Sequence, residues 1–134
     1  MAAPPLPPTG SGPTGSTQLG VAPNVGGLLC YAPCCIGLIF SIVAVIVEKQ
    51  SRFLRFHAFQ SLLFHGAAIV VSIVFQIAVV AVGFMSGVLA FVLNMLGLLL
   101  GLAILAAQIL LMVKAYNNEE YELPTLGEMA RKYM

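Results

Sequence analysis

The chain has 134 residues, of which 60% are hydrophobic and 8% charged, with a formal net charge of +1. A soluble domain carries charge on about a quarter of its residues, so this balance excludes an ordinary water-soluble fold and points to one integral-membrane unit. The charges fall in only two stretches, 48–55 and 114–132, and a near-neutral chain gives no warrant for a nucleic-acid partner.

Residues 1–23 make a Pro, Gly, Ser and Thr tail with no charged side chain. It is too poor in large apolar groups to offset the entropy of ordering, and it is expected to be disordered. It lacks the basic start and apolar core of a secretory signal. The start MAAPP does not offer the Gly of a myristoylation site, and the final RKYM is not a prenylation box.

A first membrane span is expected over 25–47, with Asn24 as its cap. Pro33 falls inside it and removes a helical hydrogen bond, so an irregular first turn is expected. At about 100° per residue, Gly27, Cys30, Cys34, Gly37 and Ser41 share one small face, continued by Glu48. Small residues let helices approach closely in lipid, which makes this the packing face.

Lys49, Arg52 and Arg55 follow, and then residues 56–113 contain no formal charge at all. Such a run suits two spans of about 20 residues or more joined by a turn, expected over 54–82 and 88–113. In the second span Ser61, His65, Ser72 and Gln76 project within a narrow arc, with His57 at its edge, and Arg52 and Arg55 can snorkel to the headgroups. The turn falls at GFMSG, residues 83–87. On the third span Ala90, Asn94, Gly97, Gly101 and Gln108 share a face, and Gly97 and Gly101 have the GxxxG spacing of a close helix crossing. The tail 117–134 is polar. Thr125 and Glu128 have capping-box spacing before a short amphipathic surface helix with Arg131 and Lys132 on its polar side.

The fold class is therefore all-α: a three-helix transmembrane domain over 24–116 between a disordered tail and a short cytoplasmic one. With three spans, the first loop and the C-terminus share a side, which holds all six Lys and Arg residues. The positive-inside rule then places the C-terminus in the cytoplasm and the N-terminus outside, in the inner (plasma) membrane.

Cys30, Cys34 and Cys35 form C-x-x-x-C-C without the second Cys or His pair of a structural zinc site. They read either as small buried thiols or as a disulfide or redox group at the outer face. His57 and His65 could relay a proton with Ser61, Gln76 or Glu48, or simply hydrogen-bond within the bundle. Asn94 and Gln108 read as interhelical partners. The basic loop controls topology, and its cations can also meet anionic headgroups or an acidic segment of a partner. No catalytic constellation, metal set or cofactor motif is present in the sequence, which reads as a non-enzyme.

The pattern N-V-x-x-L-L-C-Y at 24–31, G-L-I-F at 37–40, R-F-x-R-F-H-A-F-Q-S at 52–61, L-M-V-K-A-Y at 111–116 and L-P-x-x-G-E at 123–128 resembles a three-span membrane protein family of bacteria and archaea. That family in turn looks similar to the chloroplast inner-envelope import component of the Tic complex. The resemblance implies a bundle subunit that associates with itself or with another membrane protein, with a link to translocation by analogy. It places any shared role on Arg52, Arg55, Phe56, His57, Gln60 and Ser61. The leading expectation is thus a structural or complex-forming subunit. The alternative is an oligomeric transport or permeation subunit with a polar path along Ser61, His65, Ser72, Gln76, Asn94 and Gln108.

Overall fold

The computed structural model describes residues 17–33 and 35–134. Most of the tail expected to be disordered, and Cys34, lie outside them. Among the described residues the chain forms five helices and no strand: α1 (Pro23–Cys30), α2 (Cys35–Val47), α3 (Arg52–Gly83), α4 (Gly87–Tyr116) and α5 (Leu126–Tyr133).

Two helices, not three, are long and apolar enough to cross a membrane. At 1.5 Å per residue, α3 and α4 reach about 48 and 45 Å, beyond the roughly 30 Å of a hydrocarbon core. Each is started by a serine. Ser51 Oγ accepts from the Leu54 N–H at 3.2 Å, and Ser86 Oγ from the Leu89 N–H at 3.3 Å. Phe84, Met85 and Ser86 turn the chain between them. The antiparallel register is fixed by three levels: Gly83 against Ala90, Phe75 against Gly97, and His65 against Gln108.

The span expected over 25–47 is broken. Pro33 has no N–H to donate and biases Ala32 away from helical geometry, so α1 stops after 8 residues and α2 restarts with 13. Thirteen residues cover about 20 Å, too short to cross. The two pieces fold back on each other. At the start of α1, the Asn24 side chain donates to the Tyr116 carbonyl at the end of α4. At the end of α2, Glu48 bonds the backbone of Gln18 and of Ser51. Both ends of the α1–α2 hairpin therefore lie at one end of the molecule, the end where α3 begins and α4 finishes. Its tip, at residues 31–33, reaches the level of Gln108, about 12 Å above Tyr116 along α4.

This wedge leaves two helices able to cross where three spans were expected. Thr17 and the C-terminal helix lie at the same end of these two helices. All six Lys and Arg residues are also at this end, on the α2–α3 junction, the first turns of α3, the last turn of α4, and α5.

Residues 17–22 are held rather than free. The Thr17 hydroxyl donates to the Val21 carbonyl at 2.5 Å, and the Gln18 N–H donates to Glu48 at 2.8 Å. Ala22, not Asn24, stands at the N-cap of α1, with Pro23 in its first turn, where a missing N–H costs nothing. Thr125 precedes α5 without a side-chain cap bond and has φ 69°, so the capping box does not form.

The core sits at the wedge end. Cys30, Tyr31, Ala44, Leu54, Ala58, Leu111 and Ala115 are buried there together. Beyond the wedge, residues 66–107 are a bare two-helix hairpin whose Ile, Val and Leu side chains are largely exposed, as lipid contact requires.

Candidate functional site

A chain that reverses inside a membrane exposes backbone polar groups where water is scarce, and each needs an internal partner. The tip of the wedge meets this demand with side chains from α2, α3 and α4. The Cys30 carbonyl accepts from Ser61 Oγ at 2.5 Å and from Ser41 Oγ at 3.2 Å, and the two hydroxyls lie 3.0 Å apart. The Ala32 carbonyl accepts from Gln108 Nε2 at 3.3 Å. Gln108 is oriented by His65, whose Nε2 lies 3.2 Å from the same amide nitrogen. His65 Nδ1 is 2.8 Å from the Ser61 carbonyl. A carbonyl can only accept, so Nδ1 carries the proton and Nε2 accepts from Gln108.

Gly37 makes the tip possible. A Cβ there would collide with the Ala32 carbonyl oxygen and lie 2.7 Å from that of Cys30.

A second network is centred on Tyr31, which is fully buried. Its hydroxyl accepts from Gln60 Nε2 at 2.9 Å and lies 3.3 Å from His57 Nδ1. Gln60 also donates to the Tyr121 carbonyl at 2.9 Å and accepts the Leu123 N–H at 3.1 Å, so it ties the chain after α4 to α3. His57 packs edge-on against Tyr31, Phe53 and Phe56, with ring centroids 4.5–5.7 Å away. Its Nε2 is buried and has no hydrogen-bond partner among the described residues.

At the junction of α2 and α3, Glu48 is fully buried. Its carboxylate accepts the N–H groups of Gln50 and Ser51, both at 2.9 Å, and of Gln18 at 2.8 Å. Burial alone would raise this carboxyl, but the backbone donors outweigh it and hold it below the ordinary carboxylate range. Beside it opens a cavity of about 510 Å³ lined by Lys49, Gln50, Arg52, Arg55, Arg131 and Met134. Arg131 stacks over the Phe56 ring at 4.8 Å and pairs with Glu120 at 3.1 Å and with Glu122.

The motif residues thus divide. Phe56, His57, Gln60 and Ser61 turn inward and hold the wedge and the tail, whereas Arg52 and Arg55 line the cavity. The expected polar stripe also divides. Ser61, His65 and Gln108 are committed to the wedge tip, while Ser72 and Gln76 stand exposed on the bare hairpin and Asn94 bonds only the Ala90 carbonyl of its own helix. The stripe is therefore not one continuous polar path within a single chain. Of the GxxxG pair, Gly97 is tight against the Phe75 ring and Gly101 faces open space. Cys30 is a free thiol buried within the core and Cys35 is free and exposed; Cys34 lies outside the described residues. Sequence reading missed Tyr31, the capping role of Glu48 and the reach of Arg131. A glutamate three residues ahead of a serine cap is the one local signal that could have found Glu48.

Residues 16–130 match the magnetosome magnetite crystal formation protein family. The chain belongs to that family. Among its relatives are two UPF0132 membrane proteins of Methanocaldococcus jannaschii. One is 37% identical over 119 residues, covering 89% of this chain and 94% of the relative. The other is 33% identical over 116 residues, covering 86% and 72%. A UPF0132 membrane protein of Archaeoglobus fulgidus is 29% identical over 109 residues, covering 81% and 92%. The family is thus one of membrane proteins, and none of these descriptions mentions an import component. No solved structure matches the chain.

Proposed function

We propose that this chain is a non-enzymatic membrane subunit that assembles with further copies of itself through the bare half of its hairpin. The carrying observation is the exposure of Ser72, Gln76 and Asn94 on helices otherwise suited to lipid. Among the described residues Ser72 and Gln76 make no side-chain hydrogen bond, and Asn94 reaches only its own helix. A polar group left facing hydrocarbon costs free energy that an interhelical bond recovers, about 0.6 to 2 kcal/mol each. A second hairpin laid against this surface supplies those partners, and Gly101, with open space around it, lets its backbone come close.

The positive-inside rule supports placing the cation-rich end, and with it Thr17 and α5, in the cytoplasm of a plasma or plasma-derived membrane. The family's description, magnetite crystal formation, accords with a membrane scaffold at a mineral-bounding surface. The wedge residues act as structure in this reading, because Ser61, His65 and Gln108 are already spent on backbone carbonyls. Nothing in the descriptions of the relatives favours translocation, and it is not part of this reading.

Oxidative crosslinking of Gln76→Cys, in a background whose three native cysteines are alanine, tests the assembly. Disulfide-linked dimers are expected in native membranes, and Phe84→Cys at the exposed turn serves as the collision control. Equal crosslinking at both positions, or a monomer by native mass spectrometry in nanodiscs, would overturn the proposal.

A further inference from the structure

The cavity at the cation-rich end brings together groups from three elements: Lys49 from the α2–α3 junction, Arg52 and Arg55 from α3, and Arg131 from α5. Arg131 is already shared with Glu120 and Glu122. Lys49, Arg52 and Arg55 have no carboxylate within ion-pair distance among the described residues, and Glu48 beside them gives its oxygens to backbone N–H groups. Three cations outside any direct ion pair are thus held in one concavity at the N-terminal end of α3, where the helix dipole adds further positive potential. Its volume, about 510 Å³, lies within the range of small-molecule sites.

We propose that this cavity binds the phosphate group of an anionic phospholipid, with the guanidinium groups of Arg52 and Arg55 as its principal donors. A guanidinium fork matches phosphate oxygens, and Lys49 adds a point charge. The surroundings favour a lipid over free phosphate. Along α2, which ends two residues before Lys49, Ile42, Val43, Ile46 and Val47 are exposed, which gives an acyl chain apolar surface to follow away from a bound headgroup. Arg131, anchored on Phe56, makes α5 one wall of the site.

The test is native mass spectrometry of full-length protein released from phosphatidylcholine nanodiscs doped with phosphatidylglycerol. Wild type is expected to retain phosphatidylglycerol in preference to phosphatidylcholine. Arg52→Gln with Arg55→Gln should lower that retention roughly 10- to 30-fold, as loss of two interfacial cations implies. Lys114→Gln, which removes a cation outside the cavity, should leave it unchanged. Should the double variant fail to fold, Arg52→Gln alone, an exposed position, carries the test with a drop of about fivefold. Equal retention by wild type and the Arg variants, or an equal loss on Lys114→Gln, would overturn the proposal. An excess of inorganic phosphate separates the two sources. Lipid that stays bound supports a headgroup site, and complete displacement by phosphate would overturn it in favour of a free-phosphate site.

Discussion

Where α2 gives way to α3, one carboxylate does the work of three backbone acceptors, because Glu48 takes the N–H groups of Gln18, Gln50 and Ser51 in a place closed to water. Glu48→Gln keeps the shape but removes the charge and turns one oxygen into a donor that faces other donors. A loss of about 1.5 to 3 kcal/mol is expected, the worth of hydrogen bonds to a charged group, measurable by unfolding in mixed micelles. The pH dependence has a definite sign. The carboxyl is held below its ordinary value of 4.5 in the folded chain, so its stabilisation is complete above that value and falls away as pH drops through the lower folded value. The variant should show no such acid-linked loss in that window. A wild-type curve parallel to that of the variant through the same window would show that Glu48 does not carry this stability.

Among the helices, the glycines rank by what surrounds them rather than by their spacing in the sequence. At Gly37 a methyl group would meet backbone oxygens that cannot yield, so Gly37→Ala should cost about 1 to 3 kcal/mol through overpacking. At Gly97 it would meet the edge of the Phe75 ring, which can swing aside, and less than about 1 kcal/mol is expected for Gly97→Ala. At Gly101 it would meet nothing within 4 Å, and in the isolated chain Gly101→Ala should be neutral or gain up to about 1 kcal/mol from helix propensity. Thermal unfolding of the three variants, done on monomer in detergent, checks the order. The same contrast explains what the sequence could reveal. One long charge-free run interrupted by GFMSG made α3, α4 and the turn between them legible, because length and polarity act locally, whereas the serine that starts each helix went unread. Pro33 announced a break but not its direction, which is decided by Ser61, Gln108 and Tyr116, residues remote in the chain that catch the wedge from outside. Helical periodicity likewise placed His65, Ser72, Gln76 and Gln108 on related faces without saying at what depth the wedge stops. That depth separates the residues bonded to the tip from those left exposed.

Over the whole molecule, the wedge fixes how many times the chain crosses, and counting crossings fixes which parts of it can meet. A proline-broken helix pair caught by Ser61 and Gln108 leaves α3 and α4 as the only described helices long and apolar enough to cross, so Ala22 and Glu128 are expected on one side and Met85, at the exposed turn, on the other. In a background with the native cysteines replaced by alanine, Ala22→Cys, Met85→Cys and Glu128→Cys report this directly. With a membrane-impermeant maleimide on intact cells, Met85→Cys is expected to label, whereas Ala22→Cys and Glu128→Cys should label only after permeabilisation. Labelling of Ala22→Cys together with Met85→Cys in intact cells would mean three crossings and no re-entrant wedge. Glu48 and Lys49, beside and within the cation cavity, would then lose their bonds to Gln18, while the α3–α4 hairpin and its exposed polar flank would stand. The same three variants therefore separate the wedge from the assembly surface, since only the wedge depends on the chain's entering and leaving the membrane on one side.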